Sequence, residues 1–215
     1  MIRVVGGSLR GLKLRTLPGY ATRPLLNQVR EAIGNILQFQ FNGAEVWDLF
    51  AGTGANGIEA LSRGARRVLL VEKSGSALRV IQDNLRALPP EVAARATVVR
   101  GDAWEPPHLD GPGGDGAPEV PPDIVFVDPP YALVEEDPVR SVHRVGAILR
   151  RTAPGGVVVF HFPDGVLDAD DFVELGDVDL REWGTSGVAL IRHRGAAAPA
   201  PEAPMAPDGA ADPLP

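Results

Sequence analysis

Asp128, Pro129, Pro130 and Tyr131 stand in a row directly after the apolar run Ile124-Val125-Phe126-Val127. A run of β-branched and aromatic residues reads as a buried strand. The prolines end it, because neither can donate a ladder hydrogen bond. A carboxylate, a rigid turn and an aromatic ring are therefore expected at the carboxyl end of a strand, where open α/β sheets bind ligands. The set suits a flat ring bearing an amino group. Asp128 and the Pro129 carbonyl can accept the amine N–H groups while Tyr131 stacks on the ring face.

A second constellation runs Asp48-Leu49-Phe50-Ala51-Gly52-Thr53-Gly54-Ala55-Asn56-Gly57, with Gly52, Gly54 and Gly57 in G-x-G-x-x-G spacing and Glu72 ending the next strand candidate. Glycines let backbone approach a ligand closely, and a carboxylate at a strand end can take both hydroxyls of a ribose. Two ligands satisfy the pattern, a dinucleotide and S-adenosylmethionine. A pyrophosphate at this loop would meet the Asp48 carboxylate as an adverse neighbour, whereas the ammonium and sulfonium of the methyl donor would be favoured by it. Asp48 thus tilts the reading toward the methyl donor. Asp102, in Val99-Arg100-Gly101-Asp102-Ala103, supplies a further acid after a third strand candidate. It could accept from an adenine amino group, with the Ala103 amide on a ring nitrogen, although an Asp after Gly also serves as a plain turn former.

Composition removes other chemistries. The chain has no Cys, which excludes a disulfide framework and a thiolate metal site or nucleophile. The four histidines, His108, His143, His161 and His193, form no close pair, so no metal is expected. His161, after a strand, reads as a structural histidine, and Trp47, inside one, as core. No apolar stretch approaches the roughly 20 residues of a membrane span, and the polar N-terminus does not read as a signal peptide. A cytoplasmic location is the expectation. The net charge of −7 conceals an asymmetry: residues 1–38 carry +5 and the remainder −12. A basic arm on an acidic body is an electrostatic footprint for nucleic acid, with Arg10, Lys13, Arg15 and Arg23 as a backbone clamp. The alternative is a solvated hairpin in which Arg23 and Arg30 pair with acids of the body.

The elements that must position these groups follow from periodicity. Residues 2–5 and 12–16 read as two short strands that can pair as a hairpin. Pro24 suits a first helical turn, and Val29, Ala32, Ile33, Ile36 and Leu37 continue at helical spacing. Strands are predicted over 46–50, 67–72, 97–100, 123–128 and 156–161, and helices over 57–63, 74–88 and 135–151, with Pro89-Pro90 stopping the second helix. Such alternation predicts a doubly wound, mainly parallel α/β sheet. Two last strand candidates, 172–175 and 187–192, have no helix between them and are expected to pair antiparallel at an edge. The Gly/Pro-rich stretch 105–122 reads as a loop, and 195–215, rich in Ala and Pro, as a disordered tail.

Together, Asp48–Gly57, Glu72, Asp102 and the Asp128–Tyr131 tetrapeptide resemble the successive motifs of class I S-adenosylmethionine-dependent methyltransferases acting on exocyclic amines. More narrowly, VVGGSLRGLKL at 4–14, TRPLLNQVREAIGNIL at 22–37 and DLFAGTGANGIEALSRGA at 48–65 resemble the bacterial small-subunit (16S) rRNA guanine-N2 methyltransferases of the RsmD type. The similarity spans residues 1–194. It implies a Rossmann-like methyltransferase domain over 39–194 behind an RNA-contacting extension over 1–38. It also implies S-adenosylmethionine as donor, ribosomal RNA or a small-subunit assembly particle as partner, and a monomer. Leu25, Asn27 and Gln28 depart from the family pattern, which has a hydroxyl and two charges there. Phe is commoner than Gly34, and an aliphatic residue commoner than Asn56. A DNA or other RNA methyltransferase of the adenine-N6 type, a non-catalytic RNA-binding assembly factor, and a dinucleotide-dependent oxidoreductase remain as alternatives.

Overall fold

A computed structural model describes residues 2–17, 24–107 and 120–193. The arm begins with β1 (Ile2–Arg3) and β2 (Lys13–Leu14), which pair antiparallel with Ile2 opposite Leu14. Helix α1 (Pro24–Ile36) follows. The body alternates β3 (Glu45–Leu49), α2 (Ala55–Ser62), β4 (Arg67–Glu72), α3 (Gly75–Arg86), the single turn α4 (Pro90–Ala93) and β5 (Ala96–Arg100). Its second half is β6 (Ile124–Val127), α5 (Tyr131–Glu136), α6 (Pro138–Leu149), β7 (Val157–Pro163), β8 (Asp177–Trp183) and β9 (Ser186–Arg192).

These strands form one sheet in the order β5-β4-β3-β6-β7-β9-β8. Pairing is parallel from β5 to β7, and β9 runs antiparallel to both β7 and β8. The winding direction reverses between β3 and β6, so a crevice opens outside their carboxyl ends. Every residue of β3, β6 and β7 is buried, as expected of central strands covered on both faces.

Alternate strand residues feed two cores. Val46, Val68, Leu70, Ile124 and Val159 pack on one face with Val29 and Ile33 of α1, Leu37 just after it, and Ile58 and Leu61 of α2. Trp47, Leu69, Val125, Val127 and Phe160 pack on the other with Val142, Val145 and Ile148 of α6. Each such side chain contributes about 1.5–3 kcal/mol by leaving water. Val4 and Leu14 of the hairpin join the first core, so the N-terminal arm shares its packing with the sheet.

The sequence expectations needed correcting in three places. The helix predicted over 135–151 is two: α5 starts at Tyr131, and Pro138 restarts the chain as α6 with the Asp137 carboxylate accepting the Arg140 N–H at 3.0 Å. Pro89-Pro90 does end α3, but Pro90 at once opens α4, where its lost N–H costs nothing. The strand expected over 172–175 does not form. Asp170–Phe172 is a 3-10 turn that buries Phe172 completely, and the strand lies at Asp177–Trp183. The antiparallel edge pairing expected of the last two strands does form, with the charged, half-exposed β8 outermost, which suits a strand that must not recruit another. The expected tail at 195–215 and most of the loop at 105–122 lie outside the described residues.

Candidate active site

The sheet register brings the sequence motifs to one rim. Leu49 is level with Val71 on one side and Val127 on the other, so the residues that follow leave the sheet together. The Asp128 N–H donates to the Leu49 carbonyl at 3.4 Å, and the Ala51 N–H to the Val71 carbonyl at 3.0 Å. Pro129 is buried and Pro130 exposed, and Tyr131 starts α5.

The Asp128 carboxylate is gripped from below. His161, on β7, places Nδ1 2.7 Å from Asp128 Oδ1. The same ring places Nε2 3.0 Å from the Tyr131 hydroxyl, which in turn lies 2.8 Å from Ser186 Oγ on β9. His161 is thus a satisfied histidine, as the sequence suggested, but its partners are the two side chains singled out for chemistry. Neither His161 nor Ser186 carries a local signal that would have revealed this.

Around the glycine loop the acids have unequal positions. Asp48 is 1% exposed, its Oδ2 accepting the Gly57 N–H at 2.8 Å while its buried Oδ1 has no hydrogen-bond partner. Burial pushes its carboxyl up to about 8 against the pull of the Gly57 amide and, more weakly, of the Asn56 side chain, and the charges of Asp128 and Glu72 push the same way as burial. A buried acid with an orphaned oxygen, flanked by two other carboxylates, could take a cation. Glu72 accepts the Gly52 N–H at Oε2 (2.9 Å) and the Ser74 N–H at Oε1 (2.8 Å). Each of its oxygens keeps a second lone pair for a hydroxyl.

The three glycines also differ. A Cβ on Gly57 would sit 2.9 Å from Leu70 Cδ2 and 3.2 Å from Asp48 Oδ2, so this glycine serves helix-to-strand packing. Gly54 is left-handed at φ 75° and presses on Leu70 as well. Gly52 is left-handed at φ 56°, yet a Cβ there would meet only the Phe50 carbonyl, at 3.8 Å. Its open face is the part of the loop that a ligand can reach.

Asp102 is exposed and accepts the Trp104 N–H at Oδ1 (2.9 Å), closing a small turn that buries Ala103 and Trp104. Phe50, the one non-glycine residue at positive φ among the described residues (61°), meets Trp104 edge-on with centroids 5.0 Å apart. An apolar contact thus joins the segments that follow β3 and β5. Sequence reading missed it, since nothing in the string marks Phe50 as left-handed.

The arm docks through residues that sequence reading also missed. Buried Glu59 accepts the N–H groups of Val5 and Gly6, both at 2.8 Å, and Nε of Arg63 at 2.7 Å. Arg63 Nη1 reaches on to the Gly34 carbonyl at 2.9 Å. Gly34 has a physical reason: a Cβ there would stand 2.8 Å from Arg63 Nη2. Arg10 and Lys13 are exposed; Arg15 is exposed but pairs with Asp83 at 2.9 Å, and its backbone is held by Asn84. Arg23 lies outside the described residues. Arg30 donates to the Arg3 carbonyl and to Asn27 rather than to an acid. Burial lowers its pKa, offset by the charges of Glu59 and Asp48.

Among the described residues no cluster of three or more His, Asp or Glu could hold a metal, and no helix is long and apolar enough to cross a membrane.

The chain is similar to known proteins along most of its length. Residues 2–191 match the family described as conserved hypothetical protein 95. The chain is 30% identical over 194 residues to YlbH of Bacillus subtilis (strain 168), covering 90% of this chain and 100% of that one. It is 38% identical over 137 residues to ribosomal RNA small subunit methyltransferase D of Escherichia coli (strain K12), the match covering 63% of this chain and 64% of that protein, just under two thirds. Among solved structures, yhhF of Escherichia coli superposes with a TM-score of 0.67 at 27% identity, over 91% of this chain and 99% of that one.

Proposed function

Because the chain belongs to the conserved hypothetical protein 95 family, that of the RsmD-type methyltransferases, we propose that it methylates the exocyclic N2 amine of a guanine in small-subunit ribosomal RNA, with S-adenosylmethionine as donor. The observation that carries this reading is the placement of Asp128, Pro129 and Tyr131 at the switch point, beside an acid-lined glycine loop whose Gly52 face is open. The substrate class is supported by the name of the Escherichia coli relative.

The donor fits the residues present. The orphaned Asp48 oxygen suits its ammonium, Glu72 its ribose hydroxyls, and Asp102 with the Ala103 amide its adenine edge, while Gly52 and Gly54, with Ala51, shape the loop. When bound, S-adenosylmethionine supplies a sulfonium methyl, which the amine nitrogen takes as the carbon–sulfur bond breaks toward sulfur.

The chain's own part concerns the amine. A guanine N2 lone pair is delocalised into the ring and is weakly nucleophilic. Hydrogen bonds from its two N–H groups to Asp128 and the Pro129 carbonyl draw the nitrogen toward a tetrahedral geometry that frees the lone pair. The Tyr131 ring holds the base face. Orientation of this kind supplies several powers of ten in rate, and no strong base is needed before attack, because the alkylated nitrogen is acidic. A base presented this way has left its stack, consistent with flipping. Arg10, Lys13, Arg15 and Arg23 contact the RNA backbone.

The test is mass mapping of small-subunit RNA from cells with and without the gene, together with purified wild-type protein and Asp128→Ala. The expected result is one guanine that loses a methyl without the gene, and a variant at least about 100-fold slower that still binds donor. Label on duplex DNA but not on ribosomal RNA would favour the adenine-N6 alternative. Tight RNA binding without any transfer would favour an assembly factor.

A further inference from the structure

The contact between Asp128 and His161 belongs to a chain of four side chains from four elements: Ser186 on β9, Tyr131 opening α5, His161 on β7, and Asp128 after β6. Its proton order follows from chemistry. A bare ring nitrogen 2.7 Å from an ionised carboxylate oxygen would set lone pair against lone pair, so His161 Nδ1 carries the proton and donates to Asp128 Oδ1. In the neutral ring Nε2 is then an acceptor and takes the Tyr131 O–H. The Tyr131 oxygen in turn accepts from the Ser186 hydroxyl. Each donor is used once, and the chain reads Ser186 to Tyr131 to His161 to Asp128.

The chain joins a fixed end to a free one. The His161 side chain is 9% exposed and packed in the sheet, whereas that of Asp128 is 42% exposed on a turn. Among the described residues, the imidazole is the side chain hydrogen-bonded to that carboxylate, and so the one that sets its rotamer. Tyr131 meets the same imidazole edge-on, with centroids 5.5 Å apart and an interplanar angle of 75°. The titratable groups in contact with His161 among the described residues are Asp128 and Tyr131, with Ser186 behind them.

We propose that His161 is a positioning residue for methyl transfer: it commits Asp128 Oδ1 to the imidazole so that Oδ2 is offered to the amine, and it ties the Tyr131 ring to the same imidazole. The acceptor and the stacking ring are thereby held as one unit. This rests on Asp128 being the amine acceptor, as argued above.

Two substitutions separate positioning from packing. His161→Asn retains an N–H near the Nδ1 position and so keeps Asp128 while releasing Tyr131. His161→Gln reaches the Nε2 position and keeps Tyr131 while releasing Asp128. Turnover on small-subunit RNA, KM for RNA, donor affinity by calorimetry and thermal unfolding are measured for both and for the wild-type protein. The expectation is that kcat falls about 100-fold in the Gln variant, the scale of a misplaced reacting group, and about fivefold in the Asn variant, which keeps Asp128 but loses the tie to Tyr131. KM and donor affinity change little in either. Equal kcat in the two variants, or a loss confined to KM, overturns the inference while leaving the methyltransferase reading intact. If wild-type protein puts no methyl on ribosomal RNA, that reading fails and the inference falls with it.

Discussion

Glu72 Oε2 accepts the Gly52 N–H at 2.9 Å, so the last residue of β4 braces the loop that leaves β3. The acid proposed for the ribose is therefore also the strut of the glycine loop, and its other oxygen holds Ser74 at the start of α3. Glu72→Ala removes both functions. Donor affinity measured by calorimetry is expected to fall at least tenfold, with about 1–3 kcal/mol of unfolding stability lost as the two amides lose their acceptor. Unchanged affinity would separate Glu72 from the donor site.

Asp48 makes stability depend on pH in an unusual direction. Its carboxyl rises from 3.8 to about 8 on folding, so between those values the folded chain holds a proton that the unfolded chain has released. Stability is then present below about pH 4 and declines as pH rises toward 8. Asp48→Asn should flatten that decline in urea unfolding series across the same window. An identical slope in the variant would show that Asp48 is ionised throughout.

The same acid predicts proton release on donor binding. A cation placed at the orphaned Oδ1 favours the ionised form, so at pH 7 binding should expel a fraction of a proton, and affinity should climb as pH approaches 8. Calorimetry in buffers of different ionisation heat measures this directly. Zero proton release in wild-type protein, the same as in Asp48→Asn, would remove Asp48 from the ammonium site.

Glu59 should be the residue that keeps the arm on the body. Glu59→Ala leaves Arg63 buried without its carboxylate and frees the amides of Val5 and Gly6, a loss of about 3–5 kcal/mol by analogy with other broken buried pairs. Limited proteolysis should then cut within the first residues before the sheet unfolds. A variant as stable and as resistant as the wild type would mean that hydrophobic packing of Val4 and Leu14 suffices.

For the basic arm, charge reversal of Arg10 or Lys13 should weaken RNA binding and reduce the slope of log affinity against log salt by about one per site. Arg15 is already paired with Asp83, so its reversal should cost less. Equal effects at the three positions would show that the Asp83 pair opens on binding.

Much of the fold was legible because its signals are local. The strand predicted over 67–72 is β4 to the residue, and the apolar runs before Asp48 and Asp128 became β3 and β6. β8 was missed because Asp177, Asp179, Arg181 and Glu182 leave it no apolar run, and pairing with β9 is what makes it a strand. The break between α5 and α6 was missed although Pro138 marks it, since the apolar spacing continues through it.

The sequence by itself determined which groups stand at strand ends: Asp48 lies one residue before the end of β3, Glu72 closes β4, and Asp102 and Asp128 follow β5 and β6. The tertiary structure alone decided what those groups touch. His161 meets Asp128 across 33 residues, Tyr131 meets Ser186 across 55, and Arg63 meets Gly34 across 29. Such contacts depend on β7 lying beside β6 and β9 beside β7, and on α1 lying within reach of the residue that caps α2. Strand order is set by the packing of the whole sheet, and no window of the sequence contains it.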